Sequence, residues 1–230
     1  MTESEWLACA DPKSMLEFLC GKASDRRLRL FACECCRRIW QLFPEQRCRR
    51  AVKIAEAFAE GKGGIRLLRR VESVGEYYYD HRVDVPEERL GYHAGGAIFQ
   101  LGQERLAADM VADATSGGVA CSTLDAGGDR SAADAAKHGE STAQCHLLRD
   151  IFGNPFRPVS ADPAWLSWKD GTIPRLAQAI YDGRAFDRLP LLANALEEAG
   201  CDNADILNHL RGPGQHVRGC WSLDLILGKE

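Results

Sequence analysis

The chain has 230 residues, 45% hydrophobic and 27% charged, and a net charge of −4, the balance of a globular protein long enough to bury a sizeable core. No apolar run approaches the roughly 20 residues that a membrane-spanning helix needs, and no membrane partner is expected. The acidic opening Met-Thr-Glu-Ser-Glu-Trp lacks the basic-then-apolar order of a secretory leader, so a cytoplasmic address is the expectation. Ten cysteines then read as reduced thiols, buried or metal-bound, rather than as a disulfide framework.

The first third is dense in helix punctuation. Thr2-Glu-Ser-Glu5 has the form of a capping box. Asp11-Pro12 opens a short helix that Gly21 stops, and Ser24 caps a longer one. From Arg26 to Phe43 the apolar positions Leu28, Phe31, Cys35, Ile39 and Leu42 recur at helical spacing. Pro44 ends that helix, and Cys48, Val52, Ala55 and Phe58 or Ala59 form the stripe of the next, closed by Gly61-Lys-Gly-Gly64.

In the middle, Ile65 to Asp80 reads as a helix with Leu67, Leu68, Val71 and Val74 inward and Tyr77-Tyr78-Tyr79 at its end. Pro86 to about Thr115 reads as a helical segment despite Gly91, Gly95, Gly96 and Gly102, each costing about 1 kcal/mol against alanine. Ser116-Gly-Gly118 and Gly127-Gly128 bracket a predicted loop, and Asp129 to Ile151 a further helix ended by Gly153-Asn-Pro155. Arg157 to Gly171 is expected to be an extended connector bearing Trp165 and Trp168. Helices then follow from Thr172, from Leu189 to Ala199 and from Asp202 to Leu210, with a turn at Arg211-Gly-Pro-Gly214. Cys220 to Leu227 is apolar and fits helix or strand. The class is therefore mainly α, a multi-helix bundle. It is read as one domain over 1–230, with a basic N-terminal part (1–62), a middle (63–144) and a C-terminal part (145–230).

Four blocks carry a resemblance: Trp6-Leu-Ala-Cys-Ala-Asp-Pro12, Phe31-Ala-Cys-Glu-Cys-Cys-Arg-Arg-Ile-Trp40, Leu148-Arg-Asp-Ile-Phe-Gly-Asn-Pro-Phe-Arg-Pro158 and His216-Val-Arg-Gly-Cys-Trp221. In them the chain resembles a paralogous family of planctomycete proteins abundant in Gemmata-type bacteria. The resemblance covers about residues 1–60 and 145–230. It implies a lineage and an intracellular helical protein, and it implies no activity. Members often carry a cysteine where this chain has Leu210.

Three constellations bear chemistry. Cys35 falls on the Leu28/Phe31/Ile39 stripe and Cys36 beside Ala32 and Trp40, so both read as core. Cys33 lies one turn from Arg29 and Arg37, where guanidinium groups favour a thiolate, and it is the reactive-thiol candidate. The closing set Cys201-x7-His209-x6-His216-x3-Cys220 offers four acceptable zinc ligands without a C-x2-C knuckle. A packed, hydrogen-bonded turn without a cofactor is the first reading, zinc the alternative. Third, thirteen Lys/Arg face four Asp/Glu between Arg26 and Arg70. Arg26, Arg29, Arg37, Arg38, Arg49 and Arg50 are candidate contacts to an anion or nucleic acid, although solvated helix faces explain the run more simply.

No nucleotide loop, nucleophile elbow or metalloprotease helix is present. The expected function is a non-catalytic helical interaction or adaptor module with an unidentified protein partner. The alternatives are a metal- or thiol-dependent protein, enzymatic or not, and, ranked last, a nucleic-acid binder through the Arg-rich hairpin.

Overall fold

The computed structural model describes residues 1–43, 45–80, 86–103 and 106–229, and for 78–80 and 86–92 the backbone course alone. Among the described residues there are twelve α-helices and no strand. They are α1 (Glu3–Ala8), α2 (Pro12–Leu19), α3 (Asp25–Arg38), α4 (Gln46–Ala59), α5 (Ile65–Asp80), α6 (Pro86–Gly102), α7 (Ala108–Asp125), α8 (Arg130–Phe152), α9 (Pro163–Gly183), α10 (Leu189–Glu198), α11 (Ala204–Arg211) and α12 (Trp221–Leu227). None is long and apolar enough to cross a membrane. The packing divides the chain into two compact units, Met1–Leu148 and Arg149–Glu230.

Local chemistry sets several helix starts. The Thr2 hydroxyl accepts the Glu5 N–H at 3.3 Å while Glu5 accepts the Thr2 N–H at 2.7 Å, closing the capping box of α1. Asp11, Ser24, Asp162 and Asn203 cap α2, α3, α9 and α11 with side-chain oxygens. Pro44, the predicted stop, lies outside the described residues.

The helical segment from Pro86 divides into α6 and α7, and α7 runs on to Asp125. Two sequence expectations need correction. Ser116-Gly-Gly118 is not a loop but the interior of α7, where Gly117 faces His93: a Cβ there would fall 2.5 Å from the imidazole. The connector is helical from Pro163, and α9 is broken at Trp168–Gly171, where Lys169, Asp170 and Gly171 all take positive φ.

In the first unit the basic run serves packing. Arg29, 2% exposed, donates to the carbonyls of Leu101 (2.6 Å) and Gln103 (3.0 Å), so a guanidinium satisfies acceptors at the carboxyl end of α6. Arg38 grips Glu140 through Nε (2.8 Å) and Nη2 (3.0 Å), joining α3 to α8. Arg37 to Glu56 at 2.6 Å and Arg26 to Glu60 at 3.0 Å join α3 to α4.

Helices α5 and α6 cross where side chains are absent. A Cβ on Gly75 would sit 2.2 Å from the backbone nitrogen of Phe99, and one on Gly102 2.2 Å from that of Glu72. Backbone cannot yield as a flexible side chain can, so Gly75→Ala and Gly102→Ala are each expected to lose about 2–3 kcal/mol. Gly139, exposed in α8 with nothing within 4 Å of its Cβ position, makes the opposite case: Gly139→Ala should gain about 0.5–1 kcal/mol. Denaturant midpoints of the three variants check the signs.

Candidate metal centre

The second unit is built from α9 to α12 around Ile173, Ile180, Leu192, Leu196, Leu210 and Leu223. Three of the chemistry-bearing residues lie at the edge of this core, on one short stretch. His209 sits in α11, whose apolar stripe Ile206, Leu207 and Leu210 is buried. The chain turns through Gly212-Pro-Gly214 to His216, and Gly219, at φ +91°, delivers Cys220 to the start of α12. The fourth comes from far away in sequence, Asp150 in the last turn of α8.

These four converge. One ligand-type atom from each of Asp150, His209, His216 and Cys220 lies within 4.8 Å of every other. Asp150 Oδ1 is 2.7 Å from His216 Nδ1 and 3.3 Å from His209 Nε2. Cys220 Sγ is 3.1 Å from His209 Nε2 and 3.9 Å from His216 Nδ1. The two imidazoles meet edge to face, centroids 4.8 Å apart at 83°, and Trp221 covers His209 at 5.0 Å. The Cys220 side chain is fully buried, those of Asp150 and His216 are 5% and 8% exposed, and that of His209 is 20% exposed and forms the rim.

Asp150 and Cys220 both have outer partners. The Val217 N–H donates to Asp150 Oδ2 at 2.9 Å, which fixes the carboxylate and leaves Oδ1 for the histidines. Ser222, itself buried, places its hydroxyl 3.3 Å from Cys220 Sγ. The buried Nε2 of His216 finds no partner in the protein. Burial by itself would raise the Asp150 carboxyl, but hydrogen bonds from His209 and His216 and the charge of the two rings hold it below the usual carboxylate range. Burial, and then the negative charge of Asp150, push the Cys220 thiol well up, against the opposing pull of Ser222 and the amides of Ser222 and Leu223.

A tetrahedral zinc ion with bonds of about 2.0–2.3 Å would space its ligands about 3.3–3.8 Å apart. The four contacts bracket that range. Carboxylate, thiolate and two neutral imidazoles would also cancel a +2 ion, leaving a neutral centre in an apolar surround. The same atoms are badly arranged for nucleophilic catalysis. A Cys–His–Asp relay uses both ring nitrogens of one histidine, one toward sulfur and one toward carboxylate. Here His209 turns the same Nε2 toward both Cys220 and Asp150, so the donors point at a common centre and not along a chain.

Of the predicted closing set, His209, His216 and Cys220 are brought together and Cys201 is not. Cys201 is 3% exposed in the apolar core after α10, where burial raises its thiol, and Asp150 holds the fourth position. The signal for Asp150 was an acid among Leu147, Leu148 and Ile151, all buried, although nothing local linked it to a histidine 59 positions on.

The reactive-thiol candidate is also corrected. Cys33 is fully buried and its sulfur faces the Val52 carbonyl at 3.8 Å. Burial lifts the thiol well above its usual range, Cys36 and Glu34 push the same way, and Arg37 and Arg29 oppose this only in part. Cys35, Cys36 and Cys48 are buried as well. Of the six arginines, Arg26, Arg29, Arg37 and Arg38 have the partners given above, Arg49 donates to the Trp40 carbonyl at 3.2 Å, and Arg50 is exposed.

No family model matches the chain, and no curated protein and no solved structure matches it.

Cys20 is exposed, Cys9 and Cys121 are half-buried, and the other seven cysteines are buried. A thiol reagent should therefore modify Cys20 first and Cys33 only with denaturant. Peptide mapping after timed labelling reads this directly, and Cys33 labelling at the Cys20 rate would contradict it.

Proposed function

We propose that this chain is a zinc-binding helical protein whose C-terminal unit is organised by a closed four-ligand site, and that its role is that of a non-catalytic interaction module. The observation that carries the reading is the convergence of Asp150, His209, His216 and Cys220 on one point. It favours the zinc alternative over a turn held by packing alone. Four protein donors saturate a tetrahedral ion and leave no position for substrate, the arrangement of structural rather than catalytic zinc. A reducing, cytoplasmic setting would keep the sulfur of a thiolate ligand reduced. The arginines already engaged inside the first unit argue against a nucleic-acid role for the same side chains.

Protein purified without added metal should carry about one zinc per chain by elemental analysis. Asp150→Ala, His209→Ala, His216→Ala and Cys220→Ser should each weaken binding about tenfold or more, while Cys201→Ala keeps full occupancy. Cobalt substitution of the wild-type protein gives a second readout: a sulfur-to-metal charge-transfer band that Cys220→Ser removes. Absence of stoichiometric metal and of that band would refute the reading.

A further inference from the structure

The metal reading leads to a regulatory one that rests on it. The stretch Gly212–Gly219 is neither helix nor strand, and three of its eight residues are glycine and one is proline. It joins two helices that have their own apolar anchors: Ile206, Leu207 and Leu210 of α11, and Leu223 and Ile226 of α12, all in the buried core of the second unit. The stretch between them is tied differently. His216 and Val217, adjacent in sequence, both hold Asp150, one through Nδ1 at 2.7 Å and the other through its backbone N–H at 2.9 Å. Arg218 also reaches Tyr181, donating to its carbonyl at 3.4 Å and lying over its ring at 5.3 Å. Residues 213–215 are exposed, and Val217 is buried.

We infer that Gly212–Gly219 is a metal-dependent strap: ion binding at Asp150, His209, His216 and Cys220 orders it, and ion loss releases it while α9 to α12 stay folded. The ligands bracket the strap. His209 precedes it, His216 lies within it and Cys220 follows it, so one ion fixes both ends and the middle. Without the ion, His209 Nε2 faces both the Asp150 carboxylate and the Cys220 sulfur, His216 Nδ1 faces the same pair, and each ring nitrogen carries at most one hydrogen. Neither nitrogen satisfies both neighbours. A glycine-rich segment gains the most backbone freedom on release, whereas the flanking helices keep the burial that holds them. The exposed turn at 213–215 is thereby presented in one shape by the loaded protein and in many by the metal-free protein, so the site reports metal supply on the surface of the unit.

The test is amide hydrogen exchange on the full chain, metal-loaded and after chelation, with elemental analysis of both samples. Exchange across 214–219 should rise about tenfold or more on metal removal, while Ile173–Ile180 and Leu189–Leu196 keep their protection. His216→Ala should show the released pattern without chelator. A strap that stays protected in a sample shown to be metal-free overturns the proposal while leaving metal binding intact. Loss of protection throughout α9 to α12 overturns it too, since the ion would then hold the core and not the strap. If the loaded sample carries no metal, elemental analysis shows it first, and both this inference and the reading beneath it fall.

Discussion

The second unit depends on one buried carboxylate. An unpaired anion in an apolar interior costs several kcal/mol, so the chain around Asp150 must supply compensation from every side. It does so with two imidazoles on Oδ1 and a backbone N–H on Oδ2. Each supplier constrains something else. The Val217 amide fixes the course of the strap, His216 must turn inward just before it, and Gly219 must take a positive φ for Cys220 to reach the same point and α12 to begin. Asp150 is thus a partner common to His209, His216 and Val217.

The first unit meets the same difficulty by other means. Arg29 is as buried as Asp150, but its partners are carbonyls at the end of a helix, groups that would otherwise need water. Arg38 and Glu140 neutralise each other with two parallel hydrogen bonds. In such a pair each donor is matched to its own acceptor. That distinguishes a scaffold ion pair from the centre at Asp150, where four donor groups face inward together.

Helix caps and stripes were legible in the sequence because their causes are local. Thr2 with Glu5, Asp11 before Pro12, and Cys48 with Val52 and Ala55 all act within a turn or two, and each is found in place. Glycine misled where tertiary packing overrode propensity: Gly117 sits inside α7 because His93 needs the space, a reason that lies on another helix. Cys33 misled for a related reason. Its arginine neighbours on α3 suggested a thiolate, yet those arginines turn to partners on α4 and α6 while Cys33 is buried against α4. The candidate site was legible to the extent that its residues are close in sequence. His209, His216 and Cys220 fall within 12 positions and a glycine-proline turn brings them together, whereas Asp150 is brought in only by the fold.

The ten thiols separate by what burial does to them. At Cys33, Cys35, Cys36 and Cys201 desolvation is the leading influence and keeps the sulfur protonated, so these act as small apolar side chains. At Cys220 desolvation leads as well, but the next influence is the charge of Asp150, which adds to the cost of the thiolate. A dication at the common point would reverse that sign: it would favour the thiolate and the carboxylate together, as two ligands that share one partner. The thiolate form of Cys220 beside Asp150 is unfavourable without such an ion and favourable with one, and the buried Ser222 hydroxyl and the Val217 amide stand where those two ligands need their outer hydrogen bonds.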